Sequence, residues 1–162
     1  MPNWCWNMLS VSGDRKELKR FVAFVKTGDD LLDFNKAIKY PNKFVDKTKE
    51  DKKEWKGFNN GGYWWCVNNW GTKWNSSDVE LDYDKRKCYA VFSFETAWAP
   101  SLGVTEALAK KFPKLTFEHE YEEDGCCFAG ISTFKDGKML EEEEWEIEYD
   151  DEEEGMVRKV KK

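Results

Sequence analysis

The sequence predicts an α+β domain with two layers, in which helices cover one face of a mostly antiparallel β-sheet. Short turns such as Asp84-Lys85-Arg86, Asp124-Gly125 and Asp136-Gly137 separate segments with a strand period, and such connections join antiparallel strands. Segments with a helical period lie between some of these strands. Each has one apolar stripe, which is suited to packing on a sheet.

The first half of the chain is predicted to contain one strand, two helices and an insert. Trp4–Val11 alternates with a strand period. The apolar spacing over Leu18–Val25 predicts a helix whose first turn is capped by Asp14. Residues 41–60 are rich in lysine and are predicted to be an exposed insert, and the spacing over Tyr63–Trp70 predicts a second helix.

The second half is predicted to consist of hairpins around one helix. The stripe from Val104 to Phe112 predicts this helix, which begins after Ser101 and ends at Pro113. The resulting order, β-α-(insert)-α-β-β-α-β-β-β, is similar to a ferredoxin-like arrangement. We expect residues 1–149 to form this single domain and residues 150–162 to be a charged tail that frays. Strands are predicted for Val79–Tyr83, Cys88–Phe94, Leu115–Tyr121, Cys126–Phe134 and the acidic stretch that follows Gly137.

Composition excludes several classes of protein. Hydrophobic residues make up 40% of the chain and aromatic residues 16%, including nine tryptophans, which is enough apolar surface to exclude global disorder. No segment approaches the roughly 18 consecutive apolar residues of a membrane helix, so we expect a soluble protein that stays where it is made. Five cysteines without CxxC spacing favour reduced thiols in a cytoplasm. The single histidine, His119, disfavours zinc chemistry. Since the sequence has no phosphate loop, nucleophile elbow or metal motif, no cofactor or metal site is predicted.

Charge is distributed unevenly along the chain. The formal net charge of -6 combines +3 over residues 1–80 with -9 over residues 81–162, and 11 of the 14 residues from Glu141 to Glu154 are acidic. Trp145, Ile147 and Tyr149 alternate with glutamates, which predicts an edge strand. Its acids either only face water or bind a basic partner. The partner-binding set would be Glu142, Glu144, Glu146 and Glu148.

An aromatic and polar constellation is the candidate ligand site. Large rings beside Lys, Thr and Asn can stack on a planar ring and pair with its charged edge. In the alternative interpretation Trp70 and Trp98 belong to the core and Lys73 lies over Trp74. A mixed arrangement, with tryptophans as the wall of a groove and Lys73 at its mouth, is also consistent with the sequence. The predicted ligand-binding residues are Trp70, Thr72, Lys73, Trp74, Asn75, Thr96 and Trp98.

Other groups with chemical potential have structural alternatives. Glu118, Glu120 and Glu122 share one face of a strand, either as an acid/base or metal-binding set or as the solvent-exposed face. His119 lies on the apolar face of that strand, as a buried imidazole or as a general base. Cys126 and Cys127 are expected to be core thiols. No catalytic residue is predicted.

Four motifs occur in order over residues 1 to about 137: Met1-Pro2-Asn3-Trp4-Cys5 with Asn7, Asn69–Asn75, Thr96–Pro100, and Phe117–Tyr121 followed by Phe128-Ala129-Gly130. With these motifs the chain resembles the Api-like proteins of bacteriophages and plasmids, a family with a ferredoxin-like C-terminal part. Ala99-Pro100-Ser101 departs from the Ser-Pro-Pro of the family pattern. The resemblance implies a ferredoxin-like fold and a mobile-element setting in the bacterial cytoplasm, and it implies no activity.

Two functions are therefore considered. The first is a non-enzymatic phage or plasmid accessory protein that binds a host protein, such as a defence protein, in the bacterial cytoplasm. The second is a protein that binds or sequesters a small nucleotide-like ligand in a tryptophan-lined groove, with hydrolysis as a further alternative. General nucleic-acid binding is disfavoured, because phosphate contacts supply most of that affinity and the chain is acidic. The strand Cys88–Phe94 also lacks the exposed aromatics of an RNA-binding strand.

Overall fold

The computed structural model describes residues 3–46, 56–150 and 155–160. Residues 47–55 of the Lys-rich insert, and residues 151–154 and 161–162 of the predicted tail, lie outside the described residues. Within the insert the structure shows a 3-10 turn at Asn42–Phe44 and a wide, irregular turn at Phe58–Gly62.

The described residues form one antiparallel sheet of seven strands, in the spatial order β2-β3-β1-β4-β5-β6-β7. The first four strands in chain order are adjacent as β2-β3-β1-β4, with three of the described helices between β1 and β2 in the chain and one between β3 and β4. This is the ferredoxin-like order, and β5, β6 and β7 extend it as a meander. The predicted fold class is confirmed. The strands are β1 Trp4–Gly13, β2 Ser77–Tyr83, β3 Tyr89–Ala97, β4 Leu115–Glu123, β5 Phe128–Lys135, β6 Lys138–Asp150 and β7 Gly155–Val160.

Four α-helices lie wholly within the described part of the chain. They are α1 Arg15–Phe24, α2 Phe34–Ala37, α3 Tyr63–Trp70 and α4 Leu102–Lys111. Helix α1 begins as the sequence predicts, since the Asp14 carboxylate accepts hydrogen bonds from the backbone N–H groups of Lys16 and Glu17. Helix α3 ends at Gly71, whose φ of +88° closes the helix in the left-handed conformation that glycine adopts easily.

Helices α1 and α4 pack on the same face of the sheet. Phe21 of α1 is at the centre, with its ring centroid 5.9 Å from that of Phe92 on β3 and 5.3 Å from those of Phe112 and Phe117. All three pairs meet edge to face, the arrangement that aromatic quadrupoles favour. The same core includes Leu9 and other buried residues of β1, β3 and β4, so one two-layer core holds the helices against the sheet.

The chain after Asp150 differs from the sequence prediction. The sequence predicts a frayed tail over residues 150–162, but Gly155–Val160 forms β7 and pairs antiparallel with β6. Strand β6 is consequently an inner strand and not the predicted edge strand. Its Ile147 is buried and Trp145 is half-buried, and this apolar anchoring explains how a strand with so many glutamates stays paired.

No helix among the described residues is both long and apolar enough to span a bilayer.

Candidate functional site

Exposed tryptophans form a continuous strip across one end of the sheet. Trp4, Trp98 and Trp64 are 38%, 42% and 63% exposed, which is unusual for the largest apolar side chain. Trp74 connects with Trp4 at a ring-centroid distance of 6.2 Å. Tyr63 lies between the other two, with its centroid 6.4 Å from that of Trp98 and 5.0 Å from that of Trp64. We call Trp4, Trp74, Trp98, Tyr63 and Trp64, with Lys73 among them, the tryptophan strip.

Lys73 holds the centre of the tryptophan strip together. Its Nζ lies 4.4 Å from the ring centroid of Trp74 and 4.5 Å from that of Trp98. Both distances are within the range of a cation–π interaction, worth about 0.5–1 kcal/mol for an exposed pair. The predicted neighbours Lys73, Trp74 and Trp98 are therefore in contact, and one ammonium group aligns two rings from distant parts of the chain.

The backbone at Trp98 is strained in a way that turns its ring outward. Its φ is +70°, a conformation that L-amino acids with bulky side chains rarely adopt. The residue is held there by a hydrogen bond from its N–H to the carbonyl of Asn3 at 3.0 Å. Backbone strain of this kind costs about 1–3 kcal/mol and clusters at functional sites.

A cavity of about 880 Å³ lies on the other side of Trp74 and Lys73. Trp70 belongs to its wall and to the core, because the ring is buried and its Nε1–H donates to the carbonyl of Ile38 at 2.8 Å. Burial raises the pKa of Tyr40 to about 12 and that of Cys66 to about 11, so both groups are protonated at neutral pH. The remaining residues of this aromatic cavity include Lys36, Lys39, Phe44, Phe58, Lys73, Trp74 and Asn75.

Asp33 organises the polar corner of the aromatic cavity. Its carboxylate accepts hydrogen bonds from Thr27, from Asn35 and from Asn75 Nδ2. Burial alone would raise the pKa of Asp33, but these hydrogen bonds outweigh it and hold the pKa below its ordinary value. Asn75 also accepts from the backbone N–H of Phe34 at 2.9 Å, so its amide is occupied in joining two loops.

Two of the predicted ligand-binding residues are enclosed in the protein. Thr72 is buried and donates to the carbonyl of Ala97 at 2.9 Å. Thr96 is buried, donates to the carbonyl of Ala99 and accepts from Asn7 Nδ2. Both hydroxyls are out of reach of a ligand. Trp98 is not among the residues that line the aromatic cavity, so the predicted set divides between the cavity, the strip and the core.

The predicted partner-binding glutamates lie together. Glu142, Glu144, Glu146 and Glu148 alternate along β6 and all four are exposed. Glu144 pairs with Gly130 and Glu142 with Ser132, so this row shares the face on which the helices pack. Burial and the charges of Glu144 and Glu142 raise the pKa of Tyr121 to about 12. The row is a local field of negative charge at the edge of the helical layer.

The other groups with chemical potential serve the fold. His119 is buried with both ring nitrogens in hydrogen bonds, to Thr105 and Asn7. Cys126 and Cys127 are exposed in the turn between β4 and β5, which corrects the expectation that they are core thiols. Within the described ranges, His, Cys, Asp and Glu side chains form no group of three or more that could hold a metal ion.

Sequence reasoning missed several residues that the structure brings to these sites. Trp4 alternates with the core-facing residues of β1, and Trp64 lies outside the apolar stripe of α3. The strand period of β1 and the helical period of α3 therefore already indicate that these two tryptophans are exposed. Tyr40, Phe44, Lys36 and Lys39 of the cavity gave no such signal, because they come from an irregular segment.

Comparisons with known proteins concern the fold. A family model described as "Ferredoxin-like domain in Api92-like protein" matches residues 69–162, more than half of the chain. A crystal structure of a protein api92 from Yersinia pseudotuberculosis superimposes with a TM-score of 0.56 at 10% sequence identity, covering 90% of this chain and 98% of that one. The comparison with curated proteins finds no significant match.

Proposed function

Because the chain belongs to the family of ferredoxin-like domains in Api92-like proteins, we propose that it is a non-enzymatic accessory protein of a phage or plasmid. In this proposal it acts in the bacterial cytoplasm by binding a host protein, for example a defence protein. The resemblance of its motifs to Api-like proteins supports the setting. The tryptophan strip supports the binding role.

The observation that carries the proposal is the exposure of the strip. Monomeric proteins rarely leave a contiguous apolar patch uncovered, and Trp and Tyr are the residues that most often dominate protein interfaces. Lys73 holds Trp74 and Trp98 in place before any partner arrives, so little side-chain entropy would be lost on binding. The strain at Trp98 is consistent with a ring positioned for contact.

A binding role is favoured over a catalytic one by the state of the titratable groups. The single histidine is enclosed and fully hydrogen-bonded. The Cys66 thiol beside the aromatic cavity has a raised pKa, so it is a poor nucleophile.

The test is affinity capture from bacterial lysate, quantified by mass spectrometry, with three forms of the chain. The wild type is compared with Trp98→Ala and with Leu140→Ala. Leu140 is 57% exposed and lies near the β5–β6 hairpin, at the end of the sheet away from Trp4, so its substitution is a matched loss of exposed apolar surface. We expect Trp98→Ala to reduce recovery of the partner about 10-fold or more, while Leu140→Ala retains it. Equal recovery by all three forms contradicts the proposal.

A second candidate function is supported by the aromatic cavity. Its volume is in the range of small-molecule sites, and Lys36, Lys39 and Lys73 stand beside aromatic walls. This combination suits a planar anion such as a nucleotide. A thermal-shift screen of nucleotides tests it: a concentration-dependent rise in Tm supports the candidate, and no rise at millimolar ligand contradicts it.

A further inference from the structure

The face of the sheet opposite the helices is strongly acidic. In strands β1 to β6, every second side chain points to the side of the sheet on which the helices pack. The strand register places the side chains between them on this opposite face. Two lysines share it at the β5–β6 hairpin, Lys135 and Lys138, and Lys87 contacts Tyr89 on the same face at the register of Ser12. Ser12 of β1 is in register with that hairpin. Trp6 lies six residues before Ser12 in the same strand, so Trp6 is about 20 Å from the hairpin. The acids on this face are Glu80, Asp82, Glu95, Glu118, Glu120, Glu122, Glu141 and Glu143.

A small pocket of about 320 Å³ opens on this face beside two tryptophans. Trp4, Trp6, Glu95, Glu122 and Asp124 line it, and none of these five is basic. Trp4 is 38% and Trp6 is 40% exposed. Glu95 pairs with Trp6 from β3, and Glu122 pairs with it from β4. The Cβ atom of Trp6 therefore lies between those of two glutamates, about 5 Å from each by the geometry of strand pairs.

We infer that this pocket binds an arginine or lysine side chain of a basic polypeptide. An aromatic face attracts a cation, and carboxylates on either side supply its counter-charge. The acidic surroundings repel a phosphate backbone, so the tryptophans here do not serve as a stacking platform for nucleic acid. The inference rests on the proposed function, because the pocket adjoins the tryptophan strip at Trp4, and it names the chemistry of the partner.

The experiment uses the full chain and a peptide with one arginine, acetyl-Gly-Gly-Arg-Gly-Gly-amide. Binding is followed by NMR through the indole N–H signals of Trp4 and Trp6. The control peptide contains citrulline, which has the shape of arginine without its charge. We expect saturable shifts with the arginine peptide and none with citrulline. Equal shifts with both peptides, or none with either, overturn the inference.

Variants of the chain locate the binding. Glu95→Gln and Glu122→Gln are each expected to weaken binding about 3- to 10-fold, and Trp6→Leu about 10-fold. Glu118→Gln is the matched control, because Glu118 shares the strand and face of Glu122 but pairs with Ser10, and we expect less than a 2-fold change. Equal weakening by Glu118→Gln would show general attraction to the acidic face and overturn the assignment to the pocket. Tighter binding of free spermidine than of the peptide would overturn the assignment to a polypeptide.

The outcome is separable from that of the proposed function. Loss of host-protein capture in Trp98→Ala without peptide binding at Trp6 leaves the proposed function standing and removes the pocket. Peptide binding at Trp6 with unchanged capture by Trp98→Ala supports the pocket and contradicts the proposed function.

Discussion

His119 Nε2 lies 3.0 Å from Asn7 Oδ1 in the core, and this hydrogen bond joins β4 to β1. An amide oxygen only accepts, so Nε2 carries the proton and Nδ1 accepts from the hydroxyl of Thr105 on α4 at 2.7 Å. Asn7 Nδ2 donates in turn to the carbonyl of Cys5 and to Thr96. The neutral imidazole thus ties two strands and a helix together.

This arrangement makes the stability of the protein dependent on pH. Burial lowers the pKa of His119 to about 3, whereas an unfolded histidine titrates near 6.5. The unfolded chain therefore binds a proton that the folded chain excludes, and stability falls as pH decreases from about 6.5 towards 3. We expect the free energy of unfolding in urea to be about 1.4 kcal/mol lower at pH 5.5 than at pH 7.5.

His119 is the only histidine, so the effect is attributable to it. The His119→Gln variant is expected to lose most of the dependence between these two pH values, and the folded wild-type ring should show no titration by NMR between pH 7.5 and 5. A ring that titrates near pH 6.5 in the folded protein contradicts the assignment.

Removing the partner of His119 should destabilise the fold. Asn7→Ala leaves the buried His119 Nε2–H without its partner and removes the hydrogen bonds from Asn7 Nδ2 to the Cys5 carbonyl and to Thr96. A buried group without a hydrogen bond costs about 1–3 kcal/mol. We expect a loss of about 2–3 kcal/mol in urea denaturation. Ser10→Ala, on the opposite face of the same strand, is the control and should change stability by about 0.5 kcal/mol or less. Equal effects of the two substitutions would indicate that the network contributes little.

Backbone strain at Trp98 can be separated from the contacts of its ring. Trp98→Ala and Trp98→Gly both remove the ring, but only glycine adopts the φ of +70° without steric cost. We expect Trp98→Gly to be more stable than Trp98→Ala by about 1 kcal/mol in chemical denaturation. If the alanine variant is the more stable one, the left-handed conformation is not maintained at this position.

Lys73 should matter for ligands more than for stability. Its ammonium contacts two half-exposed rings, so Lys73→Ala is expected to lower stability by about 1 kcal/mol or less. If the aromatic cavity binds a planar anion, the same variant should weaken that binding in a calorimetric titration. Lys19→Ala, at an exposed position of α1, is the control. Unchanged affinity in Lys73→Ala would remove Lys73 from the ligand site.

The glutamate row of β6 is expected to steer basic partners. Exposed charges are screened within about 10 Å at 0.1 M salt, so the association rate of a hexa-lysine peptide should fall steeply as salt increases. The double variant Glu142→Lys with Glu146→Lys should reduce this rate about 3- to 10-fold at low salt while the protein stays folded. Asp29→Lys with Asp30→Lys, also exposed, makes the same change in net charge elsewhere. Equal rates for the two double variants would leave the glutamate row as a solvated surface only.

The elements that the sequence predicts well are those with local causes. The cap at Asp14, the helix over Tyr63–Trp70 and its end at Gly71 each depend on residues within one or two turns. Alternation along β1 likewise separates the core residues from Trp4 and Trp6. These patterns are sufficient to predict the fold class. Each element has one apolar face, and only a few arrangements of the elements bury all of these faces.

The acidic stretch shows where local pattern is insufficient. Its alternation predicts a strand, but whether that strand is an edge depends on a second strand that carries little apolar signal. Gly155–Val160 pairs with it through backbone hydrogen bonds, and backbone pairing leaves almost no trace in the side-chain sequence.

The sequence by itself determined the two-layer α+β fold, the core face of each main element and the presence of an unusual number of tryptophans. Only the tertiary structure decided which tryptophans remain at the surface and what they contact. Lys73 meets Trp98 across 25 residues of chain, and Trp4 meets Trp74 across 70. Such contacts result from how the strands are ordered and from the strained turn at Trp98. They reflect the packing of whole elements, which no local period of residues encodes.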